Sequence, residues 1–292
     1  MKKINIFCFG FGQVAKNFIY DLSKIYDVKL AVTSRDKTQK KKIYGIEYIS
    51  YHFLDDSFDK DILKKIKNYN YILVSIPPRN GIDIVIKNFR KTLEILKTDW
   101  ITYLSATSVY GDHNGKWVDE NSKVNPLTKN GKSRLNAEKK WIKFAKKKNL
   151  PVQIFRLSGI YSQERNILER IKSGSYEIVN KPNHFFSRIH VEDISNVLKI
   201  TLDPKNVKPG EIYNLSDDYP CSNIEVANYA YDLMKISKPQ MIEINEIKNE
   251  MLKNFYKDSK KVSNKKIKKF FYYKLKFPTY KEGLKNIFDH KV

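Results

Sequence analysis

Cysteine is nearly absent. Cys8 and Cys221 are the two in 292 residues. Neither has a cysteine or histidine at metal-ligand spacing, which argues against a disulfide scaffold and against a metal site. Two scattered thiols fit a reducing compartment, so the expected location is the cytoplasm. Long hydrophobic runs are missing as well, and no segment approaches a membrane span, so no membrane partner is expected. The apolar stretch at residues 4–9 is cut by glycines and flows straight into a fold-like pattern, unlike a secretory leader. Internal repeats and low-complexity linkers are also lacking. Acidic residues are scarce: 32 Asp and Glu stand against 55 Lys and Arg, for a net charge of +23. The excess is spread over nearly every segment. The runs Lys40-Lys41-Lys42, Lys146-Lys147-Lys148 and Lys265-Lys266 are not interleaved with aromatics into a base-stacking platform. This reads as compositional bias, so no nucleic-acid partner is expected, although the positive field favours anionic ligands.

What is present is a large core: 41% of residues are hydrophobic and 13% aromatic, which is globular and not disordered. The most informative stretch is MKKINIFCFGFGQVA at residues 1–15. A short apolar run of strand type stops at Gly10-Phe11-Gly12. Val14, Phe18, Leu22 and Ile25 then recur at helical spacing. Strand, glycine turn and helix are the context in which G-x-G-x-x-G/A binds a dinucleotide, and the pattern here is Gly10, Gly12, Ala15. The first glycine permits the tight turn, the second lets the backbone approach a pyrophosphate, and the small third residue lets helix and strand pack closely. The candidate cofactor contacts are therefore Gly10, Phe11, Gly12, Gln13 and Val14, with the helix N-terminus facing the phosphates.

Residues 28–33 read as the second strand. An acidic residue at its end would bind the ribose 2′-hydroxyl of NAD. This chain has Thr33-Ser34-Arg35. A hydroxyl and a guanidinium suit a 2′-phosphate, so Ser34 and Arg35 favour NADP(H) over NAD(H), although Asp36 follows immediately. A lysine-rich helix is expected next, leading to a third strand within residues 46–53. Residues 71–76 form an almost continuous apolar run, as in a central parallel strand. Its end, Ser75-Ile76-Pro77, lies where open α/β sheets bind ligands. Val85, Phe89, Leu93 and Leu96 mark a helix, and residues 100–105 a further strand. That strand runs into the hydroxyl cluster Ser105-Ala106-Thr107-Ser108, followed by Val109-Tyr110-Gly111. A helix begins near Gly131 and a sixth strand covers residues 152–157. The alternation predicts an α/β fold with a Rossmann-type doubly wound parallel sheet and a smaller C-terminal α/β lobe. Two capping boxes, Ser222 with Glu225 and Thr279 with Glu282, open later helices.

Taken together, GFGQVA at 10–15, LSATSVYGD at 104–112, FRLSGIY at 155–161, FSRIHVEDI at 186–194 and YNLSDD at 213–218 resemble the extended short-chain dehydrogenase/reductase superfamily, the epimerase/dehydratase type. The resemblance implies a Rossmann domain binding NAD(P) at residues 1–160, with 186–216 returning to its sheet. It also implies a substrate lobe at 161–185 and 217–292. The family's acid/base pair, Tyr-x-x-x-Lys, is replaced: Asn130 stands at the tyrosine position and Arg134 at the lysine position. Asparagine cannot titrate, so the usual relay is missing. Such departures resemble an atypical branch of the superfamily.

The candidate catalytic residues are Thr107 or Ser105 for a substrate oxygen, Arg134 for the ribose and developing negative charge, and Tyr110 beside the hydroxyl cluster. Arg134 is also a cofactor contact. Tyr161 is a further candidate base, and Arg156 and Arg188 are candidate anion ligands or internal ion-pair partners. His190 reads as a structural support. The expected activity is an epimerase/dehydratase or reductase acting on a hydroxyl-bearing small molecule, anionic or sugar-nucleotide-like. A homodimer is the candidate assembly. The alternative is a catalytically silent NADP(H)-binding sensor or scaffold.

Overall fold

A computed structural model describes residues 1–290. The elements run β1 (Lys2–Phe9), α1 (Gln13–Ser23), β2 (Tyr26–Ser34), β3 (Gln39–Ile43), β4 (Ile46–Leu54), β5 (Ser57–Phe58), α2 (Asp61–Lys65), β6 (Tyr71–Val74), α3 (Ile84–Ile95) and β7 (Trp100–Ala106). They continue through β8 (Trp117–Val118), α4 (Lys129–Lys148), β9 (Val152–Leu157), β10 (Gly159–Tyr161), α5 (Ile167–Lys172), β11 (Val179–Asn180), β12 (Arg188–His190) and α6 (Val191–Ile200). The last are β13 (Glu211–Leu215), α7 (Asn223–Met234), β14 (Ile242–Glu243), α8 (Glu250–Phe255), β15 (Lys261–Val262), α9 (Lys265–Phe271) and α10 (Tyr280–Asp289).

The main sheet has the order β13-β9-β7-β6-β1-β2-β4-β3, with β5 paired to β4. β1 lies parallel to both β2 and β6, and β6 parallel to β7. Strand order reverses at β1, between β2 and β6, which is the topological switch point of a doubly wound sheet. The fold class expected from the alternation is therefore the one observed. Burial explains the central run: Ile72, Leu73 and Val74 of β6 are fully covered, as a strand with helices on both faces requires.

One expected element is different. The lysine-rich segment after β2 is not a helix but the edge strand β3, antiparallel to β4. Tyr44 and Gly45 connect the two with φ of +52° and +80°. Two consecutive positive φ values match the hairpin turn whose twist suits antiparallel strands. Lysine favours helix over strand intrinsically, but on an edge strand its charge discourages pairing with a second chain.

The chain forms two compact units. One comprises Met1–Ala106, Lys132–Arg156 and Ile194–Tyr213; the other comprises Thr107–Gly131, Leu157–Asp193 and Asn214–Val292. The core of the first is aromatic-rich, with Phe7, Phe9, Tyr51, Phe53, Phe89, Tyr103 and Trp141 packed together. Within it the Arg156 guanidinium makes three bonds of 2.8–3.3 Å to the Glu138 carboxylate, both side chains being buried. The second unit packs α5, α7 and α10 around Leu168, Ala227, Tyr231, Leu284 and Ile287. Among the described residues no helix is long and apolar enough to cross a membrane.

Candidate functional site

The glycine turn is built by three segments of the first unit. β1 ends at Phe9, and Gly10 turns the chain with φ of +85°. Its N–H donates to the Thr33 hydroxyl at 2.9 Å, tying the turn to the end of β2. From the end of β6, the Ser75 hydroxyl lies 3.1 Å from the carbonyls of both Phe9 and Gly10. A Cβ at Gly10 would sit 2.8 Å from Ser75 Oγ and 2.9 Å from Ile76 Cγ1, so glycine is required there sterically as well as conformationally. Gly12 is different. It is the N-cap of α1, its φ is an ordinary −83°, and no side chain caps the helix. A Cβ on Gly12 would meet nothing within 4 Å. The turn thus presents an uncapped helix N-terminus with open space above the second glycine, the arrangement that receives a phosphate group. These residues fit a dinucleotide pyrophosphate. Phe11 and Tyr48 lean together beside the turn, with ring centroids 5.6 Å apart.

The end of β2 has its own bonding. Ser34 accepts a hydrogen bond of 3.0 Å from the Ser50 hydroxyl, and Arg35 is exposed. Thr33, which the sequence offered only as a hydroxyl near a phosphate, instead holds the glycine turn. The adjacency of Gly10 and Thr33 follows from the parallel β1–β2 register, a tertiary fact that the local sequence does not carry. Past Ser75 and Ile76, Pro78 is buried, and Arg79 exchanges two backbone bonds with Ile82. Gly81 N–H in the same loop donates to Ser133 Oγ at 3.0 Å.

Of the candidate catalytic residues, Ser105 and Arg134 belong to the first unit. Ser105 is buried, and its hydroxyl has no hydrogen-bond partner among the described residues. Arg134 is half-buried and its Nη1 donates to the Leu104 carbonyl at 3.1 Å. Thr107 and Tyr110 belong to the second unit. Thr107 opens a 3-10 turn, and its carbonyl accepts from Tyr110 N. The buried Tyr110 hydroxyl donates to Asn214 Oδ1 at 2.8 Å. Asn214 N–H in turn donates to Glu120 at 2.7 Å, a link no local pattern signals. Gly111, with φ of +72°, lies so close to the Asn125 carbonyl that a Cβ would stand 1.9 Å from its oxygen. Asn130, in the tyrosine position, is exposed.

The remaining candidates have internal partners. The Arg188 guanidinium donates to Asn223 Oδ1 at 2.5 Å and to the carbonyls of Phe186 and Cys221. Arg156 pairs with Glu138. Burial pushes the Tyr161 phenol far above its ordinary pKa, as do the nearby Asp217 and Asp193 carboxylates, which makes a phenolate base costly. Burial lowers the His190 imidazole to about 4, leaving it neutral at pH 7. Its Nδ1 accepts from Glu192 N–H at 3.3 Å, and its ring packs against Tyr161 and Phe277.

No protein-family model matches the chain, and no curated protein matches it by sequence. Solved structures do match over its whole length. A conserved protein of unknown function from Silicibacter pomeroyi is 29% identical, with a TM-score of 0.84 over 98% of this chain and 99% of that one. The UDP-glucuronic acid 4-epimerase of Bacillus cereus, solved with NAD, gives a TM-score of 0.79 at 14% identity over 98% of each chain. The chain has the fold of an extended short-chain dehydrogenase/reductase. The dTDP-glucose 4,6-dehydratase of Bacillus anthracis, also solved with NAD, extends the set of neighbours with this fold. Its TM-score is 0.77 at 16% identity, covering 98% of this chain and 96% of that one. The epimerase and the dehydratase are, by their names, sugar-nucleotide enzymes, whereas the protein 29% identical to this chain has no assigned function.

Proposed function

We propose that the chain is an NADP(H)-binding member of the atypical extended short-chain dehydrogenase/reductases. In this reading it is an oxidoreductase or epimerase/dehydratase acting on a hydroxyl-bearing, sugar-nucleotide-like substrate. The observation that carries the reading is the glycine turn: the Gly12 surface is open, and no side chain caps α1. Gly10, Phe11, Gly12, Gln13 and Val14 would hold the pyrophosphate, Ser34 and Arg35 the 2′-phosphate, and Ser75, Ile76 and Pro77 the strand-end wall. The bound cofactor would supply hydride exchange with a carbinol carbon. Ser105 or Thr107 would bind the substrate oxygen, and the unpartnered Ser105 hydroxyl supports that role. Arg134 would add positive charge near the reacting oxygen. Tyr110 would shape the pocket through its bond to Asn214. The first compact unit would carry the cofactor and the second the substrate, in a cytoplasmic protein with no nucleic-acid partner, as a candidate homodimer.

Incubation with a panel of sugar nucleotides and simple alcohols tests the reading, with cofactor absorbance followed for net oxidation or reduction and products separated by chromatography for the redox-neutral epimerase and dehydratase outcomes. Turnover with any of them supports it. A second reading, a silent NADP(H) sensor, draws on Asn130 and on the Arg134 bond to the Leu104 carbonyl. It is favoured if NADPH binds tightly and no substrate turns over.

A further inference from the structure

The loop that carries Arg35 is fixed from β4. His52 Nδ1 lies 3.1 Å from the Arg35 carbonyl and 3.1 Å from the Asp36 carbonyl. Both partners are acceptors, so Nδ1 carries the hydrogen. Nε2 lies 3.2 Å from the Ser57 hydroxyl. The backbone N–H of His52 donates to Thr38 Oγ1 at 2.9 Å, and that hydroxyl donates to Asp59 at 2.8 Å. Residues 35–38 are thereby tied at both ends to one strand, while the Arg35 side chain stays exposed. The carboxylate most adverse to a phosphate here is Asp36. It is drawn to Lys41 of β3, with Nζ 3.6 Å from Oδ2.

We infer that His52 and Lys41 are the positioning residues for selecting a 2′-phosphorylated dinucleotide: His52 fixes the backbone from which Arg35 reaches the phosphate, and Lys41 neutralises Asp36. The inference rests on the NADP(H) reading above. The clamp lowers the conformational cost of ordering Arg35 on binding. The edge strand β3 supplies the cation that offsets the adjacent carboxylate. Without Lys41, Asp36 would repel a 2′-phosphate and would be free to accept from a ribose hydroxyl, the preference of NAD-selective sites.

The test is calorimetric binding of NADPH and NADH to the wild type and to Arg35→Ala, His52→Ala, His52→Asn and Lys41→Ala. His52→Ala is expected to weaken NADPH about tenfold while NADH changes about twofold or less, the loss of one ordering bond. In His52→Asn the amide nitrogen can stand where Nδ1 stood, and the NADPH preference is expected to return. Lys41→Ala, at a surface pair, is expected to lower the NADPH:NADH affinity ratio about threefold by unmasking Asp36. If Arg35→Ala collapses the ratio while His52→Ala and Lys41→Ala leave it intact, this inference falls and the cofactor reading stands. If Arg35→Ala leaves the ratio unchanged, the 2′-phosphate reading itself fails and takes the inference with it. Parallel loss of both nucleotides in His52→Ala, without rescue by asparagine, also overturns the positioning role.

Discussion

Gly10 and Gly12 sit two residues apart in the same turn, yet alanine should act on them in opposite ways. At Gly10 the φ of +85° is a conformation that an L-residue reaches only with strain, about 1–2 kcal/mol. The added Cβ would also stand 2.8 Å and 2.9 Å from Ser75 Oγ and Ile76 Cγ1. Ser75 is held by two carbonyls and cannot swing away without losing them, so overpacking adds about 1–3 kcal/mol. Gly10→Ala is therefore expected to lose about 2–5 kcal/mol in urea unfolding. At Gly12 the backbone is unstrained and the Cβ meets no atom. The cost to stability is about 1 kcal/mol or less, the difference between glycine and alanine at an N-cap. The same methyl occupies the space proposed for the pyrophosphate. A displacement costing about 2 kcal/mol lowers NADPH affinity about thirtyfold. The assay is a pair of measurements on each variant, urea midpoint and nucleotide titration. A Gly12→Ala protein that binds NADPH like the wild type would refute the reasoning, and so would a Gly10→Ala protein of undiminished stability.

Other outcomes follow from the same contacts. Removing Glu138 strands a buried guanidinium, so Glu138→Ala should destabilise the fold by about 3–5 kcal/mol in chemical denaturation. Gly111→Ala should cost more than about 3 kcal/mol by the same assay, because the methyl would overlap the Asn125 carbonyl while φ stays positive. Stability should also depend on pH in two windows. Burial lowers His184 and His190 from 6.5 to about 4, so the unfolded chain binds more protons between those values and stability rises with pH there. Burial lifts Asp217 from 3.8 to about 8, so throughout that range the folded chain holds an extra proton and this carboxyl's contribution falls as pH rises; above about pH 6.5, where the two histidines no longer offset it, stability falls toward pH 8. Asp217→Asn should flatten the upper limb and steepen the lower one, where this carboxyl opposes the histidines; an unchanged upper limb would assign it to another group.

The sequence made the doubly wound sheet legible because its strands are short, mostly apolar runs between helices of clear period, as at residues 4–9 and 71–74. It also exposed the glycine turn, since the φ of Gly10 is a local demand of the strand-to-helix reversal. The β3 hairpin was not legible: three lysines favour a helix locally, whereas the Tyr44-Gly45 turn and pairing with β4 make the segment a strand. Lys41 beside Asp36 and the link from His52 to the Arg35 loop both arise from β4 pairing with β2 and β3, which no local pattern signals. Ser133 holding Gly81, and Asn214 holding Tyr110, are likewise contacts between segments distant in the chain. The candidate site was thus readable where one residue's conformation or one element's end defined it. It was opaque where partners meet only through the fold.

The most direct test of the central claim is calorimetric titration of the purified protein with NADPH and with NADH. The account predicts saturable one-site uptake of NADPH, tighter than that of NADH. Absence of binding by both nucleotides at millimolar concentration, with the protein folded, would contradict it.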